Sequence, residues 1–220
     1  MPLIATQHNW SMRKQIFDYL SNQIEKGVLT PGSLINVRKL TEELNVSRTP
    51  LREALAQLET QGLVTILPQR GVLINVLTYE ELLNIYEILG ALESQVLQTV
   101  FHRIDAKKID AMERYNQIMA EAITNEQNRK FHETNITLHR VFLDLSSNGE
   151  LTNYVSNLKL KLFGFARKSY RKRFKESIVR EHEEFIELLR AGKKDDSVDY
   201  LKNVHWKFNY PENFIRPDIL

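Results

Sequence analysis

The sequence predicts a mainly α-helical protein in which three helices and a β-hairpin precede an all-helical bundle. Apolar residues recur at helical spacing along most of the 220 residues, for example from Ile16 to Ile24. Two short aliphatic runs, 64–67 and 72–76, are separated by a turn containing proline and glycine. Beyond the second run strand signals are absent, and short connections between amphipathic helices favour an antiparallel bundle.

The first part of the chain predicts a winged helix-turn-helix. Asn45 and Val46 form a tight turn between the second and third helices, and Ser47 is a suitable N-cap for the third. The turn Pro68–Gly71 joins the two aliphatic runs into a hairpin, which forms the wing. The three predicted helices cover 11–26, 37–44 and 48–61.

The remaining chain predicts helices only. Thr78 can cap the first of them, which places a domain border between 77 and 78. We therefore expect one domain over 1–77, which contains the winged helix-turn-helix, and an all-helical domain over 78–220. The predicted helices of this second domain lie near 79–101, 105–127, 129–146, 149–168, 174–191 and 194–208.

The third helix has a polar leading face. Arg48, Thr49 and Arg52 lie opposite the apolar side that includes Leu51 and Leu55. The second helix of a helix-turn-helix points such N-terminal side chains into the major groove of DNA, where Arg can bind guanine in a bidentate manner. The alternative is a solvated helix face with ordinary salt bridges. Turn, helix phase and wing together favour DNA binding.

Composition restricts the class of protein. Hydrophobic residues make up 42% and charged residues 26%, which is typical of a folded globular chain. The absence of cysteine excludes disulfides and thiolate metal sites and fits a reducing cytoplasm. No apolar run approaches the roughly 20 residues that cross a bilayer, so we expect a cytoplasmic protein without a membrane segment. A net charge of +2 does not indicate an indiscriminate polyanion binder.

The recognition-helix segment V-S-R-T-P-L-R-E-A-L, from Val46 to Leu55, resembles the GntR family of bacterial transcription regulators. The later E-T-Q-G-L-V and the wing motif P-x-R-G belong to the same resemblance. It implies that Arg38, at the start of the second helix, also contacts DNA. Arg70 at the wing tip can enter the minor groove, and Gly71 permits the tight wing turn. The DNA-contact candidates are Arg38, Ser47, Arg48, Thr49, Arg52, Arg70 and Gly71.

The helical remainder resembles the FadR-type ligand-binding domain, called FCD, of that family. The resemblance implies a divalent metal, such as Zn, Ni, Mn, Co or Fe(II), held by Asn135, His139, His182 and His205. Asn135 stands where the family usually has Asp, and Leu89 stands where a basic residue is common. Asn135 and His139 are four residues apart, so they share one helical face. The alternative is a set of interior histidines bonded to their neighbours.

A basic run extends over 159–175, with eight Lys and Arg and no acidic residue. It is either a site for an anionic effector, a patch for DNA phosphate, or a solvated helix end whose apolar residues face the core. The last interpretation is favoured. Arg167 and Arg171, one turn apart, are the effector-binding candidates if it is wrong.

These features predict an effector-controlled, homodimeric transcription regulator, expected to be a repressor, on palindromic double-stranded operator DNA. The effector is a small molecule, expected to be anionic. The alternatives are a metal-dependent enzyme built on the histidines and an architectural DNA-binding protein without an effector. We expect no enzymatic activity, because H-E-x-x-H, a nucleophile elbow and a glycine-rich phosphate loop are all missing from the sequence.

Overall fold

The computed structural model describes residues 9–25, 27–166 and 172–209, with side chains for 12–24, 27–162 and 172–209. The chain forms two compact units, and the border between them falls between Leu77 and Thr78. Within the described ranges, no helix combines the length and the apolar character needed to span a membrane.

The first unit is a winged helix-turn-helix, as predicted. Leu51, Leu55 and Leu58 are buried, and the helix that carries them packs against the first helix, in which Ile16 and Leu20 are buried as well. This core holds the third helix by one face and leaves its other face outward. The elements are α1 (Asn9–Glu25), β1 (Leu34–Ile35), α2 (Val37–Leu44), α3 (Arg48–Thr60), β2 (Val64–Leu67) and β3 (Gly71–Ile74).

The turn between α2 and α3 is formed as the sequence predicts. Asn45 adopts a left-handed conformation with φ 51°, which a short polar side chain tolerates better than most residues. The side chain of Asn36 caps the start of α2 by accepting a hydrogen bond from the backbone N–H of Lys39. Ser47 occupies the N-cap position of α3, but its hydroxyl makes no capping hydrogen bond.

The wing is part of a three-stranded antiparallel sheet with the order β1-β3-β2. The sequence did not predict β1, because a strand of two residues has no measurable alternation. The predicted second wing strand was 72–76, whereas β3 ends at Ile74. Asn75 lies just beyond the strand, although its backbone N–H still donates to the carbonyl of Leu63 at 3.0 Å. Its side chain accepts a hydrogen bond from Thr65 and donates one to the carbonyl of Gly62.

The second unit is all helical over its described part. Thr78 and Glu81 form a reciprocal capping box at its start, which agrees with the predicted N-cap. α5 packs against α6 and α8, while α4 packs against α6 and α9. The helices are α4 (Tyr79–Val100), α5 (Ala106–Thr124), α6 (Asn128–Leu143), α7 (Gly149–Ala166), α8 (Lys172–Arg190) and α9 (Lys194–Tyr200).

The end of the bundle differs from the prediction. Instead of one α-helix over 194–208, α9 ends at Tyr200 and a π-helical turn, Leu201–His205, follows it. A π-turn inserts an extra residue and rotates the side chains that follow relative to the preceding helix. The local sequence does not predict this change, because it depends on the residues against which the turn packs.

Candidate functional site

The leading face of α3 is exposed. Arg48, Thr49 and Arg52 are accessible, whereas Pro50 and Leu51 between them are buried. Among the described residues, neither arginine makes a salt bridge. Both guanidinium groups are therefore available to nucleic acid, which fits the orientation expected of a recognition helix.

Arg38, at the start of α2, is also exposed but pairs with Glu42 one turn later. The Nε–Oε1 distance is 3.2 Å, and the side chains are 82% and 67% accessible. An exposed pair of this kind contributes little to stability and exchanges easily for another partner. A phosphate can therefore replace Glu42 as the partner of Arg38.

The wing tip is a three-residue loop, 68–70, because Leu67 pairs with Gly71 across the hairpin. Gln69, with φ 63°, makes the reversal, and Arg70 donates its backbone N–H to the carbonyl of Leu67 at 3.0 Å. Gly71 is the first residue of β3 rather than part of the turn. Its φ is 123°, and a Cβ there would lie 2.5 Å from the carbonyl oxygen of Ile35. Glycine is required because β1 approaches the strand closely.

In the second unit, His139, His182 and His205 come together in the interior. They lie on α6, on α8 and in the π-turn, and their ligand-type nitrogens are all within 4.8 Å of one another. Their side chains are buried, and Nε2 of His139 lies 3.3 Å from Nε2 of His182. The sequence predicted these three residues as a group, and the structure brings them together.

Each histidine of this cluster has a separate partner for its Nδ1. His139 bonds to Oε2 of Glu93 at 2.7 Å, and His205 bonds to Oε2 of Glu181 at 3.1 Å. His182 lies 3.2 Å from Oδ1 of Asn116. Partners of this type orient the imidazole rings that bind metals in proteins.

Glu93 is the centre of a buried polar network. Its carboxylate also accepts the indole N–H of Trp206 at 3.0 Å and lies 2.5 Å from Nζ of Lys159. Burial by itself would raise the pKa of this carboxyl, but the charge of Lys159 and the contacts with His139 outweigh burial and bring it to about 2. Glu93 is therefore ionised at neutral pH.

Two of the histidines, by contrast, have lowered pKa values. Burial and the nearby charge of Lys159 lower the pKa of His139 to about 4. Burial, together with the neighbouring His205 and His139, lowers the pKa of His182 well below its ordinary value. Neutral imidazole is the form that binds a metal ion, so His139 and His182 are in the required protonation state at neutral pH.

Asn135 lies one turn before His139 on α6, and the structure buries it as well. Its Oδ1 is shielded from solvent and accepts no hydrogen bond from the described residues. A buried carbonyl oxygen without a hydrogen bond lowers the stability of the fold, unless a water molecule or a metal ion binds to it. An amide oxygen and imidazole nitrogens are donor types that suit a divalent metal.

The π-turn brings two successive residues, His205 and Trp206, into this network. The Trp206 ring centroid is 5.5 Å from that of His139 and 5.2 Å from that of His205. Gly90 on α4 allows the approach, because a Cβ there would lie 3.1 Å from Cβ of Trp206 and 3.2 Å from the carbonyl oxygen of Lys202. The sequence predicted neither Gly90 nor Trp206 as part of the site.

Comparison with known proteins identifies both units. Residues 12–74 match the gntR family of bacterial regulatory proteins, and residues 84–204 match the FCD domain. The chain belongs to the GntR family. Its second unit is an FCD domain, and the predicted resemblance is confirmed on both halves. The matched families are transcription regulators, so the comparisons do not favour the enzyme or the purely architectural alternative.

Relatives of this GntR-family regulator carry related names. It is 29% identical over 190 residues to the HTH-type transcriptional regulator YdhC of Bacillus subtilis, covering 85% of this chain and 84% of that protein. It is 25% identical over 200 residues to the gluconate operon transcriptional repressor of Bacillus licheniformis, covering 86% and 79%. Its fold resembles that of E. coli McbR/YncC, with a TM-score of 0.74, 18% identity, and 87% and 92% coverage.

The basic run of the regulator agrees only in part with the favoured interpretation, because two of its lysines are not solvated. Lys159 and Lys175 are buried rather than solvated, and Lys159 pairs with Glu93. A run of like charges carries no information about which of its members a fold will neutralise. Arg167 and Arg171 lie outside the described residues.

Proposed function

We propose that this GntR-family regulator is a homodimeric, cytoplasmic repressor that binds a palindromic operator through 1–77 and senses a small anionic effector through 78–220. Arg48, Thr49 and Arg52 are the major-groove contacts. Arg38 and Ser47 contact the DNA backbone, and Arg70 on its Gly71-supported wing contacts the minor groove. The arginines of α3 are exposed and form no salt bridge with any residue that the structure describes, which supports the DNA-binding assignment. One recognition helix reads few base pairs, so two copies related by a dyad supply the remaining affinity and information.

We further propose that His139, His182, His205 and Asn135 bind one divalent metal ion. The observation that carries this proposal is the 3.3 Å approach of two neutral imidazole nitrogens, Nε2 of His139 and Nε2 of His182. Two nitrogens bound tetrahedrally at about 2.0–2.1 Å to zinc lie about 3.3 Å apart, so the spacing agrees with shared coordination. The buried Oδ1 of Asn135 is the matching oxygen donor.

The charges around this site support an anionic effector. The amide of Asn135 is uncharged, imidazoles bind a metal in their neutral form, and the charge of Glu93 is balanced by Lys159 at 2.5 Å. A bound dication would therefore leave the site positive even beside the carboxylate of Glu181, which contacts His205, and a positive site attracts a carboxylate or phosphate group. Asn135 matters here, because the Asp that is common in the family would remove one unit of that charge.

Metal analysis of the purified protein tests the metal site directly. We expect about one zinc, nickel, cobalt, manganese or iron ion per chain, and loss of the metal when His139, His182 and His205 are all replaced by alanine. His102, which is exposed, provides the matched control as His102→Ala. Metal content that is unchanged in the triple variant would remove the proposal.

Light scattering and operator titration test the remaining parts. We expect a dimer, with inverted half-sites recovered by selection from random DNA. Once an effector is identified, its dissociation constant should differ with and without operator by the factor with which it changes operator affinity. A monomer on cognate DNA, or equal constants for a ligand that does bind, would contradict the dimeric or the effector-controlled part respectively.

A further inference from the structure

We propose that Asn116 is a positioning residue that holds His182 in the tautomer whose Nε2 lone pair faces the other two histidines. The inference rests on the metal site proposed above and deepens it. Asn116 is buried on α5, whereas His182 is buried on α8. The sequence resemblance assigns no role to Asn116.

The orientation of the Asn116 amide follows from its neighbours. Nδ2 lies 2.9 Å from the backbone carbonyl oxygen of Val179. A carbonyl oxygen can only accept, so the NH₂ group of the amide must face Val179. The amide oxygen then necessarily faces the other way, toward Nδ1 of His182 at 3.2 Å.

The tautomer of His182 follows from this orientation. An amide oxygen only accepts, so Nδ1 of His182 must carry the proton that forms the hydrogen bond. A neutral imidazole has a single N–H, which leaves Nε2 with its lone pair. That atom is the one that lies 3.3 Å from Nε2 of His139.

The other two histidines reach the same state through carboxylates. Glu93 accepts from Nδ1 of His139, and Glu181 lies within bonding distance of Nδ1 of His205. All three Nε2 atoms are therefore free to bind one ion. Without a cation the two close Nε2 lone pairs repel each other, and a cation between them removes that repulsion.

An amide rather than a carboxylate at position 116 also affects the net charge of the proposed metal site. Asn116 is 4% exposed, and a carboxylate there would be a second buried anion besides Glu93. Lys159 is already paired with Glu93 and so does not balance it. Asn116 thus sets the tautomer without reducing the positive charge that the proposed anionic effector requires.

The test compares Asn116→Leu with Asn116→Asp. Leucine has a similar volume and no acceptor, so His182 loses its preference for the Nδ1–H tautomer. Aspartate, ionised or protonated, still offers an oxygen acceptor and preserves that preference. Met119→Leu, a buried and volume-conserving change one turn along α5, is the matched control.

Two readouts are needed. The ¹⁵N shifts of the His182 ring in metal-free protein report the tautomer, and chelator competition with Zn²⁺ reports affinity. We expect Asn116→Leu to raise the Zn²⁺ dissociation constant about 10–100-fold and to populate the Nε2–H tautomer. Asn116→Asp and Met119→Leu should keep the tautomer and stay within about tenfold of the parent affinity.

The outcomes separate this inference from the metal proposal. An unchanged tautomer in Asn116→Leu overturns it, even if affinity falls, because the loss is then one of packing. Loss of the tautomer in Asn116→Asp overturns it as well, and this variant decides the question if the leucine variant does not fold. Parent protein that binds no Zn²⁺ overturns the metal proposal, while the tautomer measurement still decides the role of Asn116.

Discussion

The DNA-facing surface of the first unit and the histidine cluster of the second are assembled in different ways. The candidate DNA contacts all lie within 38–71, are carried by consecutive elements, and include exposed arginines. The histidine cluster and its partners come from positions spread over 93–206 and are largely buried. Local helix phase is enough to orient the first set, whereas the second exists only once five separate helical segments have packed.

The two regions also differ in what their charges do for the fold. The pair of Arg38 and Glu42 is exposed and serves as a replaceable contact. The pair of Glu93 and Lys159 is buried, with side chains 0% and 6% accessible. Removing one member of a buried pair leaves an uncompensated charge. Mutations of charged residues in the first unit should therefore change DNA binding without changing stability, whereas those in the second unit should change both binding and stability.

The largest effect is expected for Lys159→Met. The variant leaves the Glu93 carboxylate buried without its cation, which should lower the free energy of unfolding by about 3–5 kcal/mol in urea titrations. The double variant Lys159→Met/Glu93→Gln should recover part of this loss, because it removes both charges. Lys161→Met, two residues along α7 and only half-buried, is the control and should change little. Equal losses in the single and double variants would show that the pair is not coupled.

A smaller effect, confined to binding, is expected for Arg48→Ala and Arg52→Ala. Loss of a base-reading arginine should weaken cognate operator binding by about 1–3 kcal/mol and relax preference at one position. Thermal stability should stay unchanged, because both side chains are exposed. Glu53→Ala on the same helix is the control for a lost exposed charge. If operator affinity survives both arginine changes, α3 is not the recognition helix.

Gly90→Ala tests whether the histidine cluster depends on the close packing of Trp206 and Lys202 against α4. The added methyl group meets Trp206 and the backbone of Lys202, so we expect a loss of about 1–3 kcal/mol in stability and weaker Zn²⁺ binding. Gly149→Ala is the matched control, since a Cβ there has nothing within 4 Å. A Gly90→Ala protein with parental Zn²⁺ affinity would mean that the π-turn does not need this close approach.

The smallest effect is expected at Arg38. Arg38→Ala should reduce the slope of log affinity against log salt by about one if the side chain contacts a phosphate. Glu42→Ala removes the competing partner, so it should leave that slope unchanged and bind DNA at least as well as the parent. Neither variant should alter the melting temperature measurably. Identical salt slopes in the parent and Arg38→Ala would exclude the phosphate contact.

The sequence alone determined the features that depend on short-range regularity. The apolar periodicity of α2 and α3, the turn at Asn45 and the cap at Thr78 are set by neighbouring residues, and each appears as predicted. The resemblance to the FCD domain also identified His139, His182 and His205 together, because the family motif can be recognised in a single sequence.

The tertiary structure decided what depends on distant partners. β1 exists because β3 pairs with it, and Gly71 is required because the carbonyl of Ile35 lies against it. The sequence places Lys159 in a basic run that we interpreted as solvated, whereas in the structure Lys159 lies beside Glu93. The π-turn that carries His205 packs closely against Gly90 of α4. These contacts join residues up to 116 positions apart, as for Gly90 and Trp206. Local periodicity carries no information over that distance, and the packing is decided instead by the burial of charge and by the lack of room for an extra methyl group.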